Sequence, residues 1–190
     1  MTLNQIREAG ALNSNPKLPM TQRVIHSGRV AEQRPSPAAA AFARLLGAGL
    51  LVGTLDLGAA FISFYVTAGK SPLFILQAIA SGLLGPAAFS GSGGVLGLGL
   101  LLHYFIAFCF TALFLGLYQQ VGFVARYPLV AGAFYGLFIW VVMNLVVLPL
   151  SRLPAQPFHP LAALREALIL VFMIGIPLAL LASRYFKPHQ

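Results

Sequence analysis

The stretch Ala38–Thr67 constrains this chain most. It is a long apolar run with one carboxylate, Asp56, near its middle. Gly49, Gly53, Asp56, Ala60, Ser63 and Thr67 follow one another at spacings of 4, 3, 4, 3 and 4 residues. That period puts all six on one stripe of a helix. Leu45, Leu50, Leu51, Leu55, Phe61, Ile62 and Phe64 occupy the remaining faces. A helix with a small-and-polar stripe and an otherwise greasy surface reads as a membrane span that packs against other spans.

Composition agrees. Of the 190 residues, 58% are hydrophobic and only 8% are charged, where a soluble globular domain carries roughly 25% charged residues. The net charge of +8 does not read as a nucleic-acid footprint. The basic residues gather in the N-terminal tail and near span ends, where membrane topology accounts for them. The one cysteine, Cys109, lies in an apolar run. It has no partner for an internal disulfide, and no cysteine set with metal-ligand spacing exists.

Residues 1–37 differ from the rest. They hold Arg7, Lys17, Arg23, Arg29 and Arg34 among four prolines, with no apolar core of signal-peptide length. They read as a flexible basic cytoplasmic tail that touches anionic lipid, with a mitochondrial presequence as the lesser alternative. The apolar pattern beyond them predicts an all-α membrane protein with four transmembrane helices in an antiparallel bundle. The spans fall at about 39–67, 95–118, 128–148 and 160–183. Between the first two, Ser71-Pro72 reads as a helix start, with serine as the N-cap. The helix it opens, about 72–84, would stop at Gly85-Pro86. At ~1.5 Å per residue it reaches only about 20 Å, too short to cross a bilayer. It is expected to be a re-entrant or interfacial helix on the outer side, with an ordinary loop helix as the alternative. Ser90–Gly94 reads as a flexible joint. It resembles a phosphate-cradling loop in composition only, lacking the Lys-Ser/Thr ending and a preceding strand.

Span two carries His103, with Gly99, Ala107 and Thr111 on the same face. Span three carries the pair Gly132/Gly136 and, at one-turn steps beyond it, Trp140 and Asn144. Together with Gly49/Gly53, that pair predicts close helix packing, within the bundle or across a homodimer. Pro177 is expected to kink span four or free a carbonyl there. Lys and Arg are heaviest in the tail, in the turn with Arg126, and at the end with Arg184 and Lys187. Both termini are therefore predicted to face the cytoplasm. Tyr118, Tyr127 and Tyr185 then fall at the inner boundary, as an aromatic belt does.

That topology brings polar groups together. At ~1.5 Å per residue, His103, Asn144, Arg165 and Glu166 fall within about 12 Å of the outer surface, and Asp56 a little deeper. Independent spans need not match in this way, so Asp56, His103, Asn144, Arg165 and Glu166 form a candidate intramembrane polar cluster. Gln77, Ser81, Trp140 and Arg152 are further candidates to line a pocket around it. A charged residue in a span costs about 2.5–3.5 kcal/mol, so each needs a partner. The expected pairs are Asp56 with Arg165 and Glu166 with His103 or Arg152, bridged by Asn144. Alternatively, Asp56 carries a proton. No metal site is expected, because the histidines are scattered.

Several stretches carry a resemblance. They are Gly53-Thr54-Leu55-Asp56-Leu57, Gln77-Ala78-Ile79-Ala80-Ser81-Gly82-Leu83-Leu84-Gly85, His103, Tyr135-Gly136, and Met143-Asn144-Leu145-Val146-Val147-Leu148-Pro149-Leu150-Ser151. Over about 44–184 the chain resembles a widespread group of uncharacterised bacterial inner-membrane proteins. More distantly, it is similar to the YagU-like inner-membrane family. The resemblance implies a multi-pass protein of the bacterial inner membrane and no particular activity. Two functions are weighed from the residues. In the first, a polar outer-half pocket handles a small solute, ion or proton. In the second, the chain is a structural or accessory subunit that binds lipid or another membrane protein. An enzyme using Glu166 and His103 as acid and base is not expected, since no nucleophile with an adjacent base and no cofactor motif is present.

Overall fold

A computed structural model describes residues 36–90, 93–152 and 159–186. The basic tail up to residue 35, Gly91-Ser92, residues 153–158 and the last four residues, with Lys187, lie outside the described residues. The chain divides at Ala38/Ala39. All that follows concerns the unit Ala39–Gln190, apart from the first residues of the first helix.

The described residues are all-helical. Helix α1 is Pro37–Ala68 and α2 is Leu73–Leu84, followed by a 3-10 turn over Gly85–Ser90. Helix α3 is Gly93–Gln120 and the short α4 is Gly122–Arg126. Helix α5 is Pro128–Leu150 and α6 is Pro160–Tyr185. Among the described residues, five apolar helical stretches are long enough to cross a membrane, because Leu73–Ser90 reaches 18 residues once the 3-10 turn is counted. The sequence reading, which ended that segment near residue 84, expected four. Many large apolar side chains point outward, with Leu161 84%, Leu150 81% and Val66 75% exposed. Such a surface is costly in water and at home in lipid.

The helix ends follow local chemistry. Gly69 adopts φ +62 and its N–H returns to the Tyr65 carbonyl at 3.0 Å, closing α1 with a left-handed glycine. Gly85, also at positive φ (+66) but with an extended ψ of −153, closes α2, its N–H bonding the Ser81 carbonyl. Pro128 and Pro160 open α5 and α6 at the position where a missing N–H costs nothing. The expected side-chain cap by Ser71 is absent. Its carbonyl instead accepts from the Phe74 N–H at 3.1 Å.

Two π segments interrupt the long helices, Met143–Val147 in α5 and Val171–Gly175 in α6. Each stops just short of a proline. The Leu148 N–H bonds the Met143 carbonyl before Pro149, and the Ile176 N–H bonds the Val171 carbonyl before Pro177. A proline ring crowds the carbonyl four residues back and offers it no N–H. Widening the preceding turn by one residue relieves both problems. The disturbance expected at Pro177 therefore takes this form, and Pro149 does the same.

Packing rests on glycines. Gly49 lies against the Phe108 ring, and Gly53 lies against Tyr104 and Ala107. Helices α1 and α3 thus run antiparallel. Gly99 sits on the backbone of Leu76, which seats α2 on α3. Gly132 and Gly136 pack on α6, where Gly175 backs directly onto the Gly132 carbonyl and Val171 onto Gly136. The Gly132/Gly136 pair therefore serves contact within one chain. Beside these seams, Val52, Phe114, Tyr135, Ile139 and Leu178 form the core, and the Tyr135 hydroxyl donates to the Phe110 carbonyl at 2.6 Å. At the Arg44 end of the bundle, Tyr118 stacks on Phe186, and the Arg44 guanidinium lies 5.6 Å from the Phe186 ring.

A Cβ on Gly136 would stand 2.5 Å from the Val171 Cα and 2.9 Å from the Leu170 carbonyl oxygen, whereas one on Gly116 meets nothing. Gly136→Ala should cost about 1–3 kcal/mol through overpacking. Gly116→Ala should leave stability unchanged or slightly raised. Thermal unfolding of both variants in detergent checks this.

Candidate functional site

The small-and-polar stripe of α1 divides in two. Its first part, Gly49 and Gly53, is consumed by the seam with α3. Its second part, Asp56, Ala60, Ser63 and Thr67, faces a cleft of about 360 Å³. Across the cleft stand Trp140, Met143, Asn144 and Leu148 of α5 and Arg165, Glu166, Ile169 and Leu170 of α6, and Phe64 of α1 and Ile75 of α2 also line it. Helix periodicity explains why α5 contributes what it does. Gly132, Gly136, Trp140 and Asn144 share one stripe. Where that stripe is glycine, α5 and α6 touch. One turn later it carries an indole, then an amide, and the space between the helices becomes the cleft.

Asn144 lies inside the π segment of α5. Its Nδ2 donates to the Trp140 carbonyl at 3.0 Å, which supplies a side-chain donor where helical pairing is disturbed. The Thr67 hydroxyl is likewise spent on the Ser63 carbonyl at 2.7 Å. Two donors have no such outlet. Trp140 Nε1 and Arg165 Nε are buried and have no hydrogen-bond partner. Leaving a buried donor unmade costs about 1–3 kcal/mol, more for a charged group.

The structure thus brings Asp56, Asn144, Arg165, Glu166 and Trp140 around one cleft and sets the other candidates elsewhere. His103 belongs to the α1–α3 seam. Its Nε2 lies 2.8 Å from the Gly53 carbonyl oxygen, which can only accept, so that nitrogen carries the proton. Beside it, the Thr54 and Tyr104 hydroxyls meet at 2.8 Å. Ser81 is fully buried and donates to its own helix at the Ala78 carbonyl. Gln77 and Arg152 are not among the lining residues. The Arg152 N–H instead donates to the Gly82 carbonyl at 3.2 Å, and its side chain lies beside Gly85.

The charge pairing also differs from expectation. Asp56 and Arg165 line the same cleft without an ion pair between them among the described residues. The basic side chain packed against α1 near Asp56 is His103, held at Gly53 one turn earlier, and Arg165 is the sequence neighbour of Glu166. The antiparallel register of α1 and α3 explains this. It sets His103 one turn from Asp56 on the adjacent helix and away from α6.

Sequence reasoning overlooked Gly175 and the contact of Gly99 with Leu76. Gly175 had a legible signal, since it stands two residues before a proline in a span. Gly99 was placed on the right face without its partner. Among the described residues, no three His, Cys, Asp or Glu side chains gather as a metal-ligand set.

His103→Phe removes the donor to Gly53 while keeping a ring. The expected result is destabilisation of about 1 kcal/mol, with Trp140 fluorescence unchanged because the cleft is intact. Melting and emission spectra of the purified variant test it.

The chain matches no protein-family model, and no curated protein and no solved structure is significantly similar to it.

Proposed function

We propose that this is a multi-pass protein of the bacterial inner membrane whose outer-half cleft binds a small polar solute, an ion or a proton. One observation carries the reading. Four polar or ionisable groups on three helices, Asp56, Asn144, Arg165 and Glu166, line a single cleft. Ionisable groups within a span that converge on a cavity are read by default as a functional site.

In this reading the chain crosses four times and both termini face the cytoplasm. The contacts of Leu73–Ser90 support its turning back at the outer end. Phe74 near its start stacks on Phe64 of α1 at 5.6 Å, and Phe89 near its end returns to Phe74 at 5.0 Å. Between them, Gly82 meets Arg152 just beyond the end of α5. The Arg44 end also carries Arg184 of α6, the distribution expected on a cytoplasmic side.

Two experiments test the proposal. After replacement of Cys109, single cysteines at Ser71 and Ser90 should react with an impermeant maleimide from the same side of the membrane. Labelling from opposite sides would overturn the four-crossing arrangement. In proteoliposomes, Asp56→Asn should reduce proton or solute flux at least tenfold while leaving the melting temperature within a few degrees of wild type. Absence of wild-type flux, together with a sharply lowered melting temperature in the variant, favours a structural or accessory subunit instead.

A further inference from the structure

We propose that the Arg44 end of the bundle holds a selective site for an anionic phospholipid, with the Arg44 guanidinium taking its phosphate. The site stands apart from the cleft and uses none of its residues.

The first observation is where the acids lie. Among the described residues the carboxylates are those of Asp56 and Glu166, and both line the cleft. Asp56 is twelve residues along α1 from Arg44, about 18 Å away. Arg44 therefore has no described carboxylate in reach. It is still not a loose surface side chain. It is half-buried, and its guanidinium lies over the Phe186 ring at 5.6 Å and the Tyr185 ring at 6.0 Å. Phe186 in turn stacks on Tyr118 of α3 at 5.8 Å, and Tyr118 belongs to the core. Three helices thus fix one cation. Aromatic rings engage the face of a guanidinium and leave its N–H edge unspent. That edge is a planar fork matched to two oxygens of a phosphate. The Tyr185 hydroxyl lies beside Gly47, one turn along α1 from Arg44, and brings a further donor to the same side.

Two features favour a lipid over a free phosphate. Arg44, Leu51, Leu55 and Ile62 follow at steps of 7, 4 and 7 residues, which puts them on one stripe of α1. The three apolar members are all exposed. An apolar track therefore runs from the guanidinium along the helix, where acyl chains would lie. Depth agrees. From Arg44 to Ala68, the end of α1, is 24 residues, about 36 Å, a little more than a hydrocarbon core of roughly 30 Å. Arg44 then stands at headgroup level when the far end of α1 reaches the opposite interface. The same lack of acid sets the charge of the lipid. A zwitterionic headgroup would bring its ammonium beside Arg44 and the neighbouring Arg184 with no described carboxylate to receive it, and a net-anionic headgroup brings none.

Native mass spectrometry of the purified full-length protein, with phosphatidylglycerol and phosphatidylcholine of the same acyl chains, tests the site. Wild type should bind the first phosphatidylglycerol roughly fivefold more tightly, and Arg44→Gln should bring the ratio below about twofold at unchanged melting temperature. Arg126, which lies over its own neighbour Tyr127 at 5.6 Å, is the control, and Arg126→Gln should keep the preference. Glycerol phosphate in large excess should not displace the lipid. Glu8 and Glu32 lie outside the described residues, so a Glu8→Gln/Glu32→Gln variant is included and should also keep it.

Equal binding of the two lipids overturns the proposal, as does a preference that survives Arg44→Gln. Equal loss in Arg126→Gln overturns it too, by showing diffuse attraction to a basic end. Displacement by glycerol phosphate replaces the lipid with a free anion. A preference present only in the Glu8→Gln/Glu32→Gln variant shows that the tail already occupies Arg44. Should Arg44→Gln not fold, wild type cross-linked to phosphatidylglycerol with a photoreactive headgroup decides. Labels should fall within residues 40–48 or 181–186, and labels confined to other segments overturn the site.

Discussion

The architecture depends on backbone touching backbone where α5 meets α6. Lipid tails are as apolar as leucine side chains, so burial from water does not hold two spans together inside a bilayer. Close contact does, and only glycine permits it at this distance. Gly132 and Gly175 face each other without side chains, and Gly136 rests on Val171. The contact fixes how α5 is rotated about its own axis. That rotation presents Trp140 and Asn144, one and two turns further on, to Arg165 and Glu166 of α6 and to the polar stripe of α1. The polar groups meet because the glycines did.

The two prolines act on the same region by a different route. Each widens the turn before it into a π segment. The first of these turns contains Met143 and Asn144, and the second begins just after Leu170, all three of which line the cleft. Irregular backbone at membrane depth is tolerated where it is buried in protein or borders a cavity. Here the irregularity is not scattered along the helices. It is confined to the two helices and the level at which the cleft forms.

Much of this was legible from residue spacing. The stripe from Gly49 to Thr67 and the series Gly132, Gly136, Trp140, Asn144 repeat at helical period, and repetition survives without a structure. Matching distances from span ends were enough to gather Asp56, Asn144, Arg165 and Glu166. What spacing does not carry is which helix stands beside which, and in what register. His103 is at a suitable depth but on the wrong neighbour, so it serves the α1–α3 seam. Charge alone suggests the pairing of Asp56 with Arg165, and a pair needs a distance that depth does not supply. Glycine and proline end α-helices, so the sequence predicts that the helix opening at Leu73 stops at Gly85. They do end this one, but a 3-10 turn carries the apolar run onward.

The division of the α1 stripe has a consequence for how such a protein changes over generations. Its first half, Gly49 and Gly53, is pressed between helices, where a methyl group would crowd the Phe108 and Tyr104 rings. Its second half, Asp56 to Thr67, borders open space. Drift is therefore channelled. Replacements at the closed half disturb the α1–α3 seam, while those at the open half change only the lining of the cleft. The lining of the cleft can change from generation to generation while the scaffold stands still.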